Sequence, residues 1–220
     1  MGQPRWYCLD VGETQIDETR VFATWADLLG IPRFTLAAVL GGVVARGQDY
    51  LDAFRALGVE DPFARMAEVE ARYGGFAESD LYPDARSCLE GLAEAGYRVA
   101  VIANQPARRG AELRALGIAP PVMAMSEAMG VRKPDLAFFS AALELMSGEG
   151  PPVEPGDVAY VGDRVDNDVV PASAAGLRAV RLRRGPWGYL QADETGAAAL
   201  TVDSLDELLE RADEAWAANP

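Results

Sequence analysis

The sequence predicts an α/β fold: a doubly wound parallel sheet with a helical segment inserted after the first strand. Three patterns predict it. Short apolar runs, each ending in a polar residue, recur along the chain and suit strands buried on both faces. Segments of helical periodicity lie between them, so strand and helix alternate. One stretch, from about Gln15 to Glu78, is helical throughout and breaks the alternation.

Taken in order, the first run is Trp6 to Leu9 and ends at Asp10. The insertion follows, punctuated at Gly30-Ile31-Pro32, Gly41-Gly42, Gly47 and Gly58, which divides it into four or five helices. A helix over Pro83 to Ala95 opens on proline and closes at Gly96. The run Tyr97 to Ala103 ends at Asn104, and a helix from Pro106 to Leu116 closes at Gly117. Val122 to Met125 ends at Ser126-Glu127, and a helix spans Asp135 to Met146. Pro151, Pro152 and Pro155 mark a loop before the run Val158 to Val161, which ends at Gly162-Asp163. The next helix, Asp166 to Ala175, contains Pro171, which implies a short first turn or a kink. Leu177 to Leu182 ends at Arg183-Arg184. Last, Leu205, Leu208, Leu209, Ala212 and Trp216 share one helical face, with Ser204 as its cap. Residues 1–14 and 81–220 therefore form the core, and 15–80 the insertion.

Composition narrows the chemistry. The 220 residues carry 34 Asp and Glu against 20 Lys and Arg, a net charge of −14. So acidic a chain is unsuited to nucleic acid or an anionic membrane, because phosphates need positive counter-charge. No apolar run approaches the roughly 18 residues of a membrane span, and the N-terminal one is broken by Asp10, so the expected location is the cytoplasm. Histidine is absent, which excludes histidine-based nucleophilic machinery and zinc sites. The two cysteines, Cys8 and Cys88, are too few for a thiolate metal site. Of the 20 basic residues 19 are arginine, and Lys133 is the one lysine. Lysine is a compact point charge where arginine is a planar fork, so the exception singles out Lys133-Pro134.

In open parallel sheets ligands bind beyond the carboxyl ends of the strands. Those ends here carry Asp10, Asn104, Ser126-Glu127 and Asp163, with Lys133 following the third. Carboxylates grouped with a lysine, and no histidine, suit a hard cation such as Mg²⁺ beside a phosphate-like anion.

The order of these features resembles the haloacid dehalogenase-like hydrolase superfamily. The first motif is matched by Cys8-Leu9-Asp10-Val11-Gly12-Glu13-Thr14, the second by Ile102-Ala103-Asn104, the third by Lys133-Pro134, and the fourth by Gly162-Asp163-Arg164-Val165-Asp166-Asn167-Asp168. The helical insertion looks like that family's C1-type cap. The resemblance implies an Asp10 nucleophile that forms an aspartyl-phosphate. It implies Mg²⁺ held by Asp10, the Gly12 carbonyl and Asp163. Asp168 and Thr14 would be supporting residues, Lys133 would neutralise the nucleophile and the phosphoryl group, and Ala103 and Asn104 would contact the substrate. The expected substrate is a small phosphorylated molecule; the motifs specify neither its identity nor the oligomeric state.

Two positions depart from the family's pattern. Its phosphatases carry a second Asp two residues after the nucleophile, where this chain has Gly12, and a Ser or Thr where it has Ala103. A missing general acid/base costs roughly 10²–10⁴ in rate. Glu13, Asp17 and Glu18 are candidate replacements. The alternatives are a weakened relative that binds a phosphorylated ligand or a protein partner, and dehalogenase chemistry, which needs no metal. Phosphonoacetaldehyde hydrolysis needs a cap lysine, and residues 15–80 contain none.

Overall fold

Strand β1 (Trp6–Leu9) is four buried residues with no charged side chain, and alternation divides them between two apolar layers. Tyr7 and Leu9 enter one cluster, Trp6 and Cys8 the other. The computed structural model, which describes residues 4–148 and 150–217, builds outward from this strand. After β1 come helices α1 (Thr19–Leu29), α2 (Arg33–Val44) and α3 (Leu51–Ala56), a 3₁₀ turn at Pro62–Arg65, and α4 (Met66–Tyr73). These helices share an apolar cluster of their own, formed by Trp25, Ala26, Leu28, Leu36, Phe54 and Val69. The expected break at Gly41-Gly42 does not occur. Helix α2 runs through both glycines, because Leu40, Val43 and Val44 on either side are buried against Trp187 and packing overrides weak local propensity.

The chain enters and leaves this segment through two connections that touch. The N–H of Tyr82 donates to the Gln15 carbonyl at 2.9 Å, and that of Asp17 to the Asp80 carbonyl at 2.7 Å. Arg20 grips the buried Asp80 carboxylate with two nitrogens and also donates to the carbonyls of Tyr73 and Gly75.

Beyond it the alternation resumes: α5 (Ala85–Glu94), β2 (Arg98–Ala103), α6 (Arg109–Ala115), β3 (Val122–Met125), α7 (Ser126–Met129), α8 (Leu136–Ser147), β4 (Val158–Gly162), α9 (Val170–Ala174), β5 (Arg178–Leu182), α10 (Gly185–Leu190), β6 (Leu200–Val202) and α11 (Leu205–Glu210). All six strands are parallel, in the order β3-β2-β1-β4-β5-β6. Helices α5, α6 and α11 cover the Tyr7 face, and α8 and α9 the Trp6 face, which makes the sheet doubly wound. Ser204 caps α11 as expected, accepting from the Glu207 N–H at 3.0 Å.

Three elements differ from expectation. Strand β6 is a three-residue edge strand with an exposed Thr201 at its centre, too short to register as an apolar run. The helix expected from Asp166 is a π-helical turn over Val165–Val169 that becomes α9. The stretch Gly185-Pro186-Trp187-Gly188, to which the sequence assigns no element, is the start of α10, with proline in its first turn and Trp187 buried.

Candidate active site

Strand order reverses between β1 and β4, which leaves a crevice beyond their carboxyl ends. Asp10 follows β1 and Asp163 follows β4, so adjacent strands deliver one carboxylate each to that crevice. The Asp10 N–H continues the ladder by donating to the Val161 carbonyl at 2.9 Å. The chain then folds over at once, because the Val11 carbonyl accepts from the N–H groups of Thr14, Gln15 and Ile16. Gln15 reaches back, and its Nε2 donates to the Asp10 carbonyl at 2.7 Å.

Lys133 joins the two motifs. Its side chain is fully buried, with Nζ 2.9 Å from Asp10 Oδ1 and 2.5 Å from Asp168 Oδ1. The faces of Tyr160 and Phe138 lie 5.1 and 5.8 Å from the ammonium. Asn104 fixes the lysine's main chain: its Oδ1 accepts from Lys133 N–H, and its Nδ2 donates to the Lys133 carbonyl. Asp168 stands on the π-helical turn, and its Oδ2 accepts from the Arg164 N–H at 2.9 Å. It approaches Gly162 so closely that a β-carbon there would collide with its carboxylate.

Asp10, Asp163 and Asp168 present oxygens within 4.8 Å of one another, all buried. Three carboxylates thus face one ammonium, and Asp163 Oδ2 is buried with no hydrogen-bond partner among the described residues. Burial pushes the Asp163 carboxyl well above its usual range, and the charges of Asp168 and Asp10 push it further. Burial raises Asp10 to about 6 against the pull of Lys133. Burial would lower the Lys133 ammonium, but Asp10 and Asp168 outweigh it and hold it above its ordinary value. Glu18 is pushed up to about 8 by burial and by its neighbours Glu13 and Asp10. Since Asp168 is occupied by Lys133 and Arg164, Asp10 and Asp163 remain as hard oxygen donors for a divalent cation.

Above these residues opens a cavity of about 1200 Å³. Asp10, Gly12, Asn104, Lys133 and Asp163 line its floor, while Phe22, Trp25, Phe54, Met66 and Trp187 supply an apolar wall. Most of the residues singled out in the sequence therefore converge. Three do not line the cavity: Asp168, which contacts Lys133 and Arg164 instead, Ala103 and Thr14. The Ala103 methyl belongs to the apolar core with Leu113 and Met125, and the Thr14 hydroxyl is buried without a hydrogen-bond partner among the described residues. Trp216 is a packing residue, stacked on Tyr97 and edge-on to Tyr7, whereas Trp25 and Trp187 both pack and face the cavity. The support given by Gln15 was not anticipated, and no sequence pattern distinguishes it from an ordinary loop glutamine.

Fold and site together define a doubly wound α/β protein with a carboxylate–lysine centre at the switch point of its sheet. The chain belongs to the haloacid dehalogenase-like hydrolase family, whose model matches residues 8–176. A glyceraldehyde 3-phosphate phosphatase of Methanocaldococcus jannaschii is 33% identical over 59% of this chain and 55% of its own length. A ribulose-1,5-bisphosphate 5-phosphatase of Halopiger xanaduensis is 30% identical over 76% of this chain and 74% of its own. The chain thus spans only a little over half of the first of these relatives. The crystal structure of a predicted phosphoglycolate phosphatase from Haemophilus somnus superposes with a TM-score of 0.72 at 21% identity, over 96% of this chain and 99% of that one, a likeness of fold.

Proposed function

We propose that this chain is a Mg²⁺-dependent phosphatase acting on a small phosphorylated molecule, with Asp10 as the nucleophile. The observation that carries this reading is Lys133, buried between Asp10 and Asp168 on the cavity floor beside the orphaned oxygen of Asp163. The donor set fits the metal: oxygen atoms only, an excess of negative charge, and one buried carboxylate oxygen with no hydrogen-bond partner among the described residues. Asp10, the Gly12 carbonyl and Asp163 would hold Mg²⁺, which would neutralise charge on the phosphoryl oxygens.

The Asp10 carboxylate attacks phosphorus and forms an aspartyl-phosphate as the bond to the leaving oxygen breaks. Lys133 keeps Asp10 ionised and faces the charge that gathers on the phosphoryl group. Asp168 holds the ammonium in place, and Asn104 fixes the backbone from which it extends. With the Asn104 amide so committed, that residue contributes to the phosphoryl site through its main chain. Residues 15–80 act as a cap over a core of 1–14 and 81–220, and the apolar wall they form with Trp187 receives the substrate's body.

The test is release of phosphate from a panel of phosphate esters, and of halide from a haloacid, with and without Mg²⁺. Phosphate release that requires Mg²⁺ is expected. Halide release independent of Mg²⁺, with no ester hydrolysed, would overturn the reading in favour of dehalogenase chemistry.

A further inference from the structure

We propose that Glu18 is the acid/base residue of this site, its carboxylate occupying the space that a side chain at position 12 would otherwise fill. The proposal rests on the phosphatase reading above. Its central observation is a close approach: a β-carbon on Gly12 would lie 2.6 Å from Glu18 Oε1 and 3.0 Å from its Cδ. The glycine and the glutamate are thus complementary, and the empty volume at position 12 holds a carboxylate delivered from the start of α1.

The neighbouring acids are excluded by their contacts. Glu13 faces the cavity, but both its oxygens are engaged: Oε1 accepts from the Glu18 N–H at 3.0 Å and Oε2 from the Tyr82 hydroxyl at 2.7 Å. Asp17 accepts from the Thr19 N–H at 2.7 Å and lines a separate, smaller cavity with Arg20 and Arg33. Glu18 precedes α1 without capping it, and its half-buried carboxylate has no hydrogen bond among the described residues. It shares the main cavity with Asp10 and Asp163. A carboxylate that shares the cavity with the nucleophile, lies beside Gly12 and makes no structural hydrogen bond among the described residues is suited to proton transfer to a leaving group.

The steps balance as follows. As Asp10 attacks phosphorus, the electron pair of the breaking P–O bond passes to the leaving oxygen, which takes the proton of the Glu18 carboxyl. The alcohol departs and Glu18 is left ionised. In the second step the Glu18 carboxylate takes a proton from water while the water oxygen attacks phosphorus. The bond to Asp10 breaks, its electron pair returns to the Asp10 carboxylate, and both side chains are restored.

The experiment compares wild type, Glu18→Gln, Glu18→Ala and Gly12→Asp/Glu18→Ala on an alkyl phosphate and on 4-nitrophenyl phosphate with Mg²⁺. Quenched samples are analysed by mass spectrometry for a phosphoryl group on Asp10. The leaving group of 4-nitrophenyl phosphate needs little protonation. Glu18→Gln should therefore lose roughly 10²–10⁴-fold of turnover on the alkyl ester, yet phosphorylate Asp10 from the aryl ester within about tenfold of the wild-type rate and accumulate the phosphoenzyme. The double variant, which moves the carboxylate to position 12 and relieves the crowding there, should recover at least tenfold over Glu18→Ala. Wild-type turnover of the alkyl ester by Glu18→Gln, or equal losses in the rate at which the two esters phosphorylate Asp10, overturns the role of Glu18 while leaving an Asp10 phosphatase intact. No phosphoryl group on wild-type Asp10 with either ester, and no phosphate released, overturns the phosphatase reading and this inference with it.

Discussion

Asn104 holds Lys133 by its backbone and not by its ammonium: two hydrogen bonds of 2.9 Å pair the amide of one residue with the peptide groups of the other. The strand end after β2 is thereby tied to the loop before α8, and the one lysine of the chain extends from a fixed point. Asn104→Ala leaves both peptide groups to find other partners and should cost about 1–3 kcal/mol of stability. Turnover should fall while Mg²⁺ affinity, set by other residues, stays within about twofold. Calorimetric titration with Mg²⁺ beside a denaturation curve checks both halves.

Lys133 itself offers a harsher test. Lys133→Met leaves two buried carboxylates without their counter-charge, a loss of about 3–5 kcal/mol. Lys133→Arg keeps the charge but not the compact shape, and should also lose turnover. If either variant hydrolyses esters at the wild-type rate, the ammonium has no part in the reaction.

Asp163 is held above its unfolded value, so at neutral pH its ionisation works against folding. The folded chain binds the proton more tightly than the unfolded one. Stability therefore rises as the pH falls from the folded value toward about 4. In chelator at pH 7.5, Asp163→Asn should melt higher than wild type, and the gap should be narrower at pH 5. Adding Mg²⁺ should reverse the order, because a ligand at 100 times its Kd stabilises by about 2.7 kcal/mol and the variant lacks a ligand to it. Thermal melts at the two pH values, with and without Mg²⁺, supply the readout.

Asp80 has the opposite sign. Burial would raise its carboxyl, but the hydrogen bonds from Arg20 and the Ala77 N–H outweigh burial and hold it below the usual carboxylate range. Its contribution is fully present above an unfolded pKa of about 4 and is lost as the pH falls through the lower folded value. Asp80→Asn should be less stable than wild type at pH 7 and should show a flatter decline on acidification. Identical acid limbs would show that the Arg20 pair contributes nothing to the two connections beside it.

The two thiols give a simple check of the core. Burial lifts both Cys8 and Cys88 to about 12, and both are free and fully enclosed. Native protein at pH 8 should not react with iodoacetamide over an hour, and denatured protein should take up two equivalents.

Much of this arrangement can be read from the residue pattern, because parallel strands buried on both faces must be apolar from end to end. Trp6–Leu9 and Val158–Gly162 meet that requirement, and the polar residue that ends each run therefore lies at the crevice. Strand β6 does not meet it, since an edge strand of three residues tolerates the exposed Thr201. Lys133 was conspicuous because composition made it so. Glu18 was one of three acids equally placed along the chain. What separates it from Glu13 and Asp17 is where each carboxylate points, and that depends on the turn after Val11 and the angle at which α1 leaves it. Gln15 carried no signal, because a side-chain amide that supports a carbonyl looks in sequence like any other glutamine.

The strand order also has a consequence for biosynthesis. β1 is made first, pairs with β2 and β4, and waits for most of the chain before its second edge is closed. Until the β4 segment leaves the ribosome, an unsatisfied row of peptide groups lines a strand without charged residues, an invitation to pair with another nascent chain. Asp10 and Asp163 flank that late closure, so the proposed cation-binding pair cannot assemble before the β4 segment has been made. A cation that binds only after β4 has paired would draw the nascent protein out of its aggregation-prone state at that moment. Magnesium supply during expression should then govern how much soluble protein accumulates.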